Sequence, residues 1–388
     1  MSNVLFLYER DMPTVSDLKG RFHDIFSDKN AEYKFVSVAK LTNSDLTWGD
    51  ICFLIRPDNY ISVKVAKEYK KTGKTVIYFM DDDLFNIPKK DLPTIPWKKK
   101  SLQKCLDNSD VFISSSKVLC DNYGGKCKRV YKIDSAINVD DFPKFVHRNN
   151  QDGVIKIVYA AGGGHEGVFN KYVKPSLGKL NEKYGSKISL NFVGVHPEIK
   201  ENYDFDINYY GVLPLIEYRR FMKEKAFDIG LAPLNDDYFS SCKYFNKYIE
   251  YTTVGTVGIY SNVEPYKSVI TNNYNGYLAD NNDEAWFEAI SNAIDNDNNH
   301  ILSNAIDHIK GNFSSEIISK KIGSVVPELY YDHNEKKNKM CFFLIKLKYK
   351  FIRIFDKIYL ACYYLKRDGV RAMFRKAKEH IKEGKVYK

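Results

Sequence analysis

Short apolar runs rich in β-branched and aromatic residues alternate along this chain with longer stretches of helical periodicity. In the first part the runs are Val4–Tyr8, Ile51–Ile55, Thr75–Phe79, Val111–Ser114 and Val130–Ile133, with helical patterns such as Ser62–Thr72 and Trp97–Asn108 between them. The alternation predicts parallel βαβ units and a doubly wound sheet. A polar segment, His147–Gly153, has little to pack and reads as a linker. The rhythm then restarts with Ile155–Tyr159, Ser189–Val193, Ile207–Tyr210, Asp228–Leu231 and Val257–Tyr260. The expectation is an α/β chain with a Rossmann-like domain over residues 1–150 and a second over 151–312. A closing helix would follow at 313–333, and a tail of different character at 334–388.

A length of 388 residues, 44% hydrophobic and 28% charged, suits two globular domains with real cores. Seven scattered cysteines form no Cys-x2-Cys pair, which argues against a structural zinc site. The apolar run after Met1-Ser2-Asn3 is too short for a secretory signal, so the expected compartment is the cytoplasm. The net charge of +10 is unevenly placed. Residues 335–388 hold 17 Lys and Arg against 5 Asp and Glu, and the rest of the chain holds 42 against 44. A nucleic-acid enzyme would spread basic charge over its binding face, so no nucleic-acid partner is expected.

Candidate chemistry gathers in the second half. Gly162-Gly163-Gly164-His165 directly follows a predicted strand, where glycines let the backbone approach a phosphate and a helix N-terminus offers free N–H groups. A plain strand-to-helix turn would look the same. Further on, Phe227–Leu234 runs into a polar loop and then a helical pattern, Lys243–Tyr251. Lys243, Lys247 and Glu250 share one helical face at i, i+4 and i+7. Two cations near the helix start suit a diphosphate. Glu250 lies about 10 Å along the axis from Lys243, at ~1.5 Å per residue, within reach of an attached ribose. A salt-bridged solvent face is the other reading of that spacing.

Together, Phe227–Leu234, Lys243, Lys247–Tyr251 and Gly255 resemble the C-terminal domain of group 1 (family-four-like) glycosyltransferases. Ser261–Tyr266, Asn275–Leu278 and Trp286 continue the likeness downstream, Val158–Gly164 and Asn191–Gly194 upstream. It covers roughly residues 154–310 well and the first domain loosely. The resemblance implies a GT-B fold, two Rossmann-like domains facing a cleft, with a nucleotide-diphosphate sugar of UDP or GDP type as donor. It also implies retention of anomeric configuration with no cofactor and no tightly bound metal. In the family's Glu-x7-Glu motif the second Glu meets the donor ribose, and Glu250 matches it. The first would stand at position 242, which is Cys242 here. The donor-binding set so implied is Gly162, Gly163, Gly164, His165, Lys243, Lys247, Tyr248 and Glu250, with Lys243 also stabilising the leaving phosphate. Asp81 and Asp82, at the end of Thr75–Phe79, are candidates to orient a sugar hydroxyl or the acceptor. The same Asp81-Asp82-Asp83 triplet also reads as a solvated acidic loop, or as the metal-binding Asp-x-Asp of the GT-A fold. Asn138–Phe142 resembles the family's interdomain loop and reads as structural.

In residues 340–365 large apolar and aromatic residues interleave with Lys346, Lys348, Lys350, Arg353 and Lys357, with no apolar stretch long enough to span a bilayer. Such a segment suits an anionic membrane surface. Packing on the first domain or on a partner chain is the alternative. The combined expectation is a transferase serving a glycan or lipid-linked acceptor at the cytoplasmic membrane face. A non-catalytic GT-B subunit that scaffolds a partner transferase is the rival reading, because Cys242 replaces the family's carboxylate.

Overall fold

The computed structural model describes residues 2–12, 14–16, 18–20, 32–87, 95–137, 153–162, 165–325, 327 and 342–386. They form two compact units, Met1–Ala136 with Ser315–Lys388, and Ile137–Ser314. The polar linker, Asn138–Phe142 and most of the stretch between the closing helix and the tail lie outside the described residues.

The first unit carries a six-stranded parallel sheet. Its strands are β1 (Val4–Tyr8), β2 (Tyr33–Ser37), β3 (Ile51–Ile55), β4 (Thr75–Phe79), β5 (Val111–Ser114) and β6 (Arg129–Lys132), in the order β2-β1-β3-β4-β5-β6. Every residue of β1, β3 and β5 is buried, as expected where helices cover both faces of a parallel sheet. Edge strand β2 is mostly half-buried. Local signals start the helices: Asn59 accepts from Ser62 N to open Tyr60–Lys71, and Ser116 accepts from Leu119 N to open Lys117–Tyr123.

The second unit repeats the theme. Strands β7 (Ile155–Ala160), β8 (Ile188–Val193), β9 (Asp206–Tyr210), β10 (Ile229–Ala232), β11 (Val257–Ser261) and β12 (Tyr277–Ala279) pair in the order β12-β11-β10-β7-β8-β9, again all parallel. Trp286, Tyr248, Tyr251 and Tyr260 are among the largest fully buried side chains.

Of the predicted closing segment 313–333, residues 328–333 lie outside the described residues, and Ser315–Val325 forms a helix that belongs to the first unit. Its Ile318 and Ile322 join the core of the first sheet beside Val15, Leu18 and Ile133. The tail also belongs to the first unit instead of standing apart. It forms a helix over Phe342–Val386, interrupted at Gly369 with φ 79°. One face docks, with Phe342, Tyr349, Asp356 and Tyr364 buried. Trp97 Nε1 donates to Asp356 Oδ1 at 2.6 Å, Arg353 donates to Glu9 at 2.8 Å and Tyr349 OH donates to Glu9 at 3.1 Å.

The opposite face of the tail is apolar and uncovered. Phe343, Leu347, Phe351, Ile354, Ile358 and Leu365 are all exposed, Phe343 at 76%. At about 100° per residue these six fall within a sector of roughly 80°, which Leu344 and Phe355 widen to about 120°. Lys348 and Lys366 border that sector on one side, Lys346, Lys350 and Lys357 on the other. Among the described residues no helix is long and apolar enough to cross a membrane.

Candidate active site

In the second sheet the chain winds outward from β7 to β9 and then returns to the far side of β7 to begin β10. The loops leaving β7 and β10 therefore diverge, and the crevice between them at the carboxyl ends is where doubly wound sheets bind ligands. Ala161 and Gly162 leave β7 there. Gly162 is exposed and a side chain at it would meet open space, so backbone could approach a ligand closely. Gly163 and Gly164 lie outside the described residues. His165 precedes the helix Glu166–Tyr172, and its carbonyl accepts from Tyr159 OH at 3.0 Å. On the β10 side, Tyr172 OH donates to Asn235 Oδ1 at 3.2 Å. Ser261 and Asn281 hold Leu234, through Leu234 N to Ser261 Oγ at 2.8 Å and Asn281 Nδ2 to Leu234 O at 2.9 Å.

The next helix, Asn246–Thr253, is seated by a close approach. A Cβ at Gly230 in β10 would fall 2.6 Å from the Tyr251 ring, so glycine lets that ring lie on the strand. Tyr251 OH then donates to Leu231 O at 2.8 Å. This seat puts Lys247 in the first turn of the helix, with Glu250 one turn on. Lys247 Nζ donates to Glu250 Oε2 at 2.5 Å and to Tyr218 OH at 3.1 Å, and Tyr218 OH donates to Glu250 Oε2 at 3.1 Å. Burial pulls the Lys247 ammonium down, but Glu250 outweighs it and the pKa is pushed up to about 12, so the group stays charged. Tyr159, near the end of β7, and Tyr266 both lie within electrostatic reach of Lys247. The β7 loop and the Lys247–Glu250 pair thus belong to one neighbourhood.

Other predicted positions fall differently. Lys243 precedes the helix, which starts three residues later than the pattern suggested, so it is not on a helical face with Lys247; its ammonium lies 5.6 Å from the Phe239 ring centroid. Cys242, where the resembled family has a carboxylate, is fully buried after the short helix Tyr238–Ser241. Tyr248 faces the core, with its hydroxyl 3.0 Å from both His308 Nδ1 and Asn275 Nδ2. In the first unit Asp81 and Asp82 share the Arg56 guanidinium, at 2.9 and 3.0 Å, and Asp81 also accepts from Thr14 at 2.6 Å. Arg56 has a left-handed backbone at φ 47°, and its two carboxylates raise its pKa against the effect of burial. Asp83 is buried and accepts from Tyr123 OH at 2.7 Å and Asn86 Nδ2 at 2.9 Å. Asp83 therefore serves the fold, and among the described residues no cluster of His, Cys, Asp and Glu could hold a metal. Sequence reasoning missed Tyr218 and Arg56, neither of which stands near its partners along the chain.

No protein-family model and no curated protein matches the sequence. Solved structures do match. HepE from Anabaena, in complex with UDP and glucose, superposes with a TM-score of 0.58 at 12% identity, covering 84% of this chain and 100% of its own. Sucrose-phosphate synthase from Thermosynechococcus elongatus gives a TM-score of 0.62 at 11% identity over 85% of this chain and 99% of its own. A UDP-N-acetylglucosamine 2-epimerase, assigned only provisionally, from Listeria monocytogenes gives 0.52 at 11% identity over 87% and 99%. The two parallel six-stranded sheets with flanking helices are those of the GT-B fold, and this chain has that fold.

Proposed function

We propose that this protein is a retaining glycosyltransferase that moves a sugar from a nucleotide-diphosphate donor of UDP or GDP type to a glycan or lipid-linked acceptor at the cytoplasmic membrane face. The observation that carries the reading is the Lys247–Glu250–Tyr218 cluster at a helix start beside the β7–β10 crevice. Glu250 offers acceptor oxygens to ribose hydroxyls. Lys247, permanently charged, and the N–H groups of the helix start offer fixed positive charge to the diphosphate. A leaving diphosphate gains negative charge as the glycosidic bond breaks, so donors placed in advance lower the barrier most. The fold neighbours bound to UDP support the donor class, and HepE was seen with UDP-glucose as well. The flanked apolar strip of the tail supports an acceptor held at an anionic membrane.

Calorimetric titration with UDP, GDP and a panel of their sugars tests the donor site. Wild type is expected to bind one nucleotide class and consume its sugar, with turnover unchanged by EDTA. Glu250→Ala is expected to bind it roughly ten- to hundredfold more weakly and to consume the sugar far more slowly. Equal binding by the variant, or no binding by wild type across the panel, overturns the reading. The buried thiol at Cys242 favours a second reading, a GT-B subunit that binds nucleotide without turnover and scaffolds a partner transferase. Binding with no donor consumption, together with co-purification of such a partner, would select it.

A further inference from the structure

The tail does not close fully over the first unit. Between its docked face and the helices Tyr60–Lys71 and Pro96–Leu106 lies a cavity of 540 Å³, within the size range of small-ligand sites. It also touches the first sheet's own switch point, because Glu9 follows β1 and Asp58 and Asn59 follow β3.

The walls divide by chemistry. Val63, Trp97, Ile352 and Phe355 supply apolar surface. Glu9 and Asp58 are already matched, Glu9 by Arg353 at 2.8 Å and Asp58 by Lys98 at 2.7 Å. Asp356 accepts from Trp97. Five more lysines line the cavity: Lys64, Lys67, Lys100, Lys104 and Lys348. No carboxylate among the described residues pairs with any of them; Lys64 and Lys348 instead lie 5.5 and 5.2 Å from the Tyr60 ring centroid. Asn59, 6% exposed, lines the cavity and caps the helix Tyr60–Lys71 with Oδ1. A cavity whose lysines outnumber its carboxylates and which reaches a helix N-terminus suits an anion. Its apolar side continues outward, because Phe355 both lines it and, at 60% exposure, flanks the uncovered strip of the tail.

We propose that this cavity binds the phosphate headgroup of an anionic membrane lipid whose chains lie along the exposed strip of the tail. The proposal rests on the membrane reading above and names its molecular partner. A free phosphate would use the lysines but leave the apolar walls and strip unmatched. A neutral lipid would leave the lysines unmatched.

The experiment uses the full chain and two lysine triples. Lys67→Ala/Lys104→Ala/Lys348→Ala removes cavity cations. Lys346→Ala/Lys350→Ala/Lys357→Ala removes cations beside the strip that do not line the cavity. Each protein is titrated with monomeric dihexanoyl phosphatidylglycerol. The expected result is saturable binding by wild type, weakened roughly tenfold or more by the cavity triple and little changed by the other. Thermal melts confirm that both triples fold. Equal binding by the two triples, no binding by wild type, or inorganic phosphate displacing the lipid at matched concentration would overturn the proposal. Sedimentation with phosphatidylcholine vesicles, with and without phosphatidylglycerol, separates the two claims. Wild type that stays in solution sinks the membrane reading whatever the monomer titration shows. Wild type and the cavity triple sedimenting alike, with equal lipid affinity, sinks the headgroup site and leaves membrane attachment standing.

Discussion

Tyr251 can seat its helix only because Gly230 presents no side chain to the ring. Gly230→Ala places a methyl carbon inside contact distance of the ring. The ring must shift, and with it the turn bearing Lys247 and Glu250. A loss of about 1–3 kcal/mol in stability is expected, read as a lower Tm, together with weaker nucleotide binding. An unchanged melt with unchanged affinity would show that the helix is not held this way. Glu250→Ala acts more directly. Losing a charged hydrogen-bond acceptor from the donor is expected to cost about 1.5–3 kcal/mol, roughly ten- to hundredfold in Kd by calorimetry. Tyr218→Phe should cost less, because it leaves the Lys247–Glu250 bond in place. At this scale the sequence was only partly legible. Helical spacing brought out Lys247 and Glu250. It could not show Tyr218, which arrives from a helix 29 residues before Lys247. It also put Tyr248 among the donor-binding residues, although one step along a helix turns a side chain about 100°, here from the crevice into the core.

Among the elements, central strands were read almost to the residue, because unbroken apolar runs bounded by polar loops have no other good home in a soluble protein. β1, β3, β4 and β5 stand where the pattern puts them. The strands that escaped notice are edges: β2 is half-exposed and β12 is three residues long, so neither builds a long apolar run. The docking of the tail helix was offered by its pattern only as an alternative, since its buried and exposed faces are both apolar. What chooses the docked face is polar: Tyr349, Arg353 and Asp356 meet Glu9 and Trp97. That latch is sensitive to pH. Burial and the neighbouring Glu9 charge push the Asp58 carboxyl up to about 7, against ~3.9 in an unfolded chain. Burial also works against the Glu9 charge, but the hydrogen bond with Asp58 and the charges of Lys98 and Arg353 outweigh it and hold Glu9 well below its usual range. Folded protein therefore keeps the Asp58 proton where the unfolded chain has lost it. The stabilisation from Asp58 is full below about pH 4 and is withdrawn as pH climbs to about 7. Glu9 has the opposite sign and its contribution is lost only in acid. Asp58→Asn should flatten the fall in Tm between pH 5 and pH 8. At about 1.4 kcal/mol per pKa unit the difference is at most about 4 kcal/mol, and less because 26% of the Asp58 side chain meets solvent. Parallel melts of wild type and variant that decline with the same slope would rule this out.

For the whole molecule, the basic C-terminal segment presents two faces of one helix, one docked on the first unit and one uncovered. The docked face closes the first unit, so removing the tail after Asn334 would also strip cover from Trp97 and Glu9 and confuse loss of attachment with loss of fold. Substituting the outer face alone keeps these apart. Phe351, Ile354 and Ile358 are each more than half exposed, at 57%, 53% and 52%, so Phe351→Ser/Ile354→Ser/Ile358→Ser gives up little packing and should leave Tm within about 1 °C of wild type. An interfacial helix draws its affinity from buried apolar area plus attraction to anionic headgroups. Removing three large side chains at about 1.5–3 kcal/mol each for full burial is more than the flanking lysines can offset. The triple variant is therefore expected to stay in solution when mixed with phosphatidylglycerol vesicles, while wild type sediments and loses that ability at high salt as charge is screened. Transfer to a soluble acceptor should survive the substitution, because none of the three residues belongs to the unit that carries Lys247 and Glu250. A triple variant that still sediments with vesicles would assign the exposed strip to another partner, with a second copy of this chain the first to test by size-exclusion chromatography.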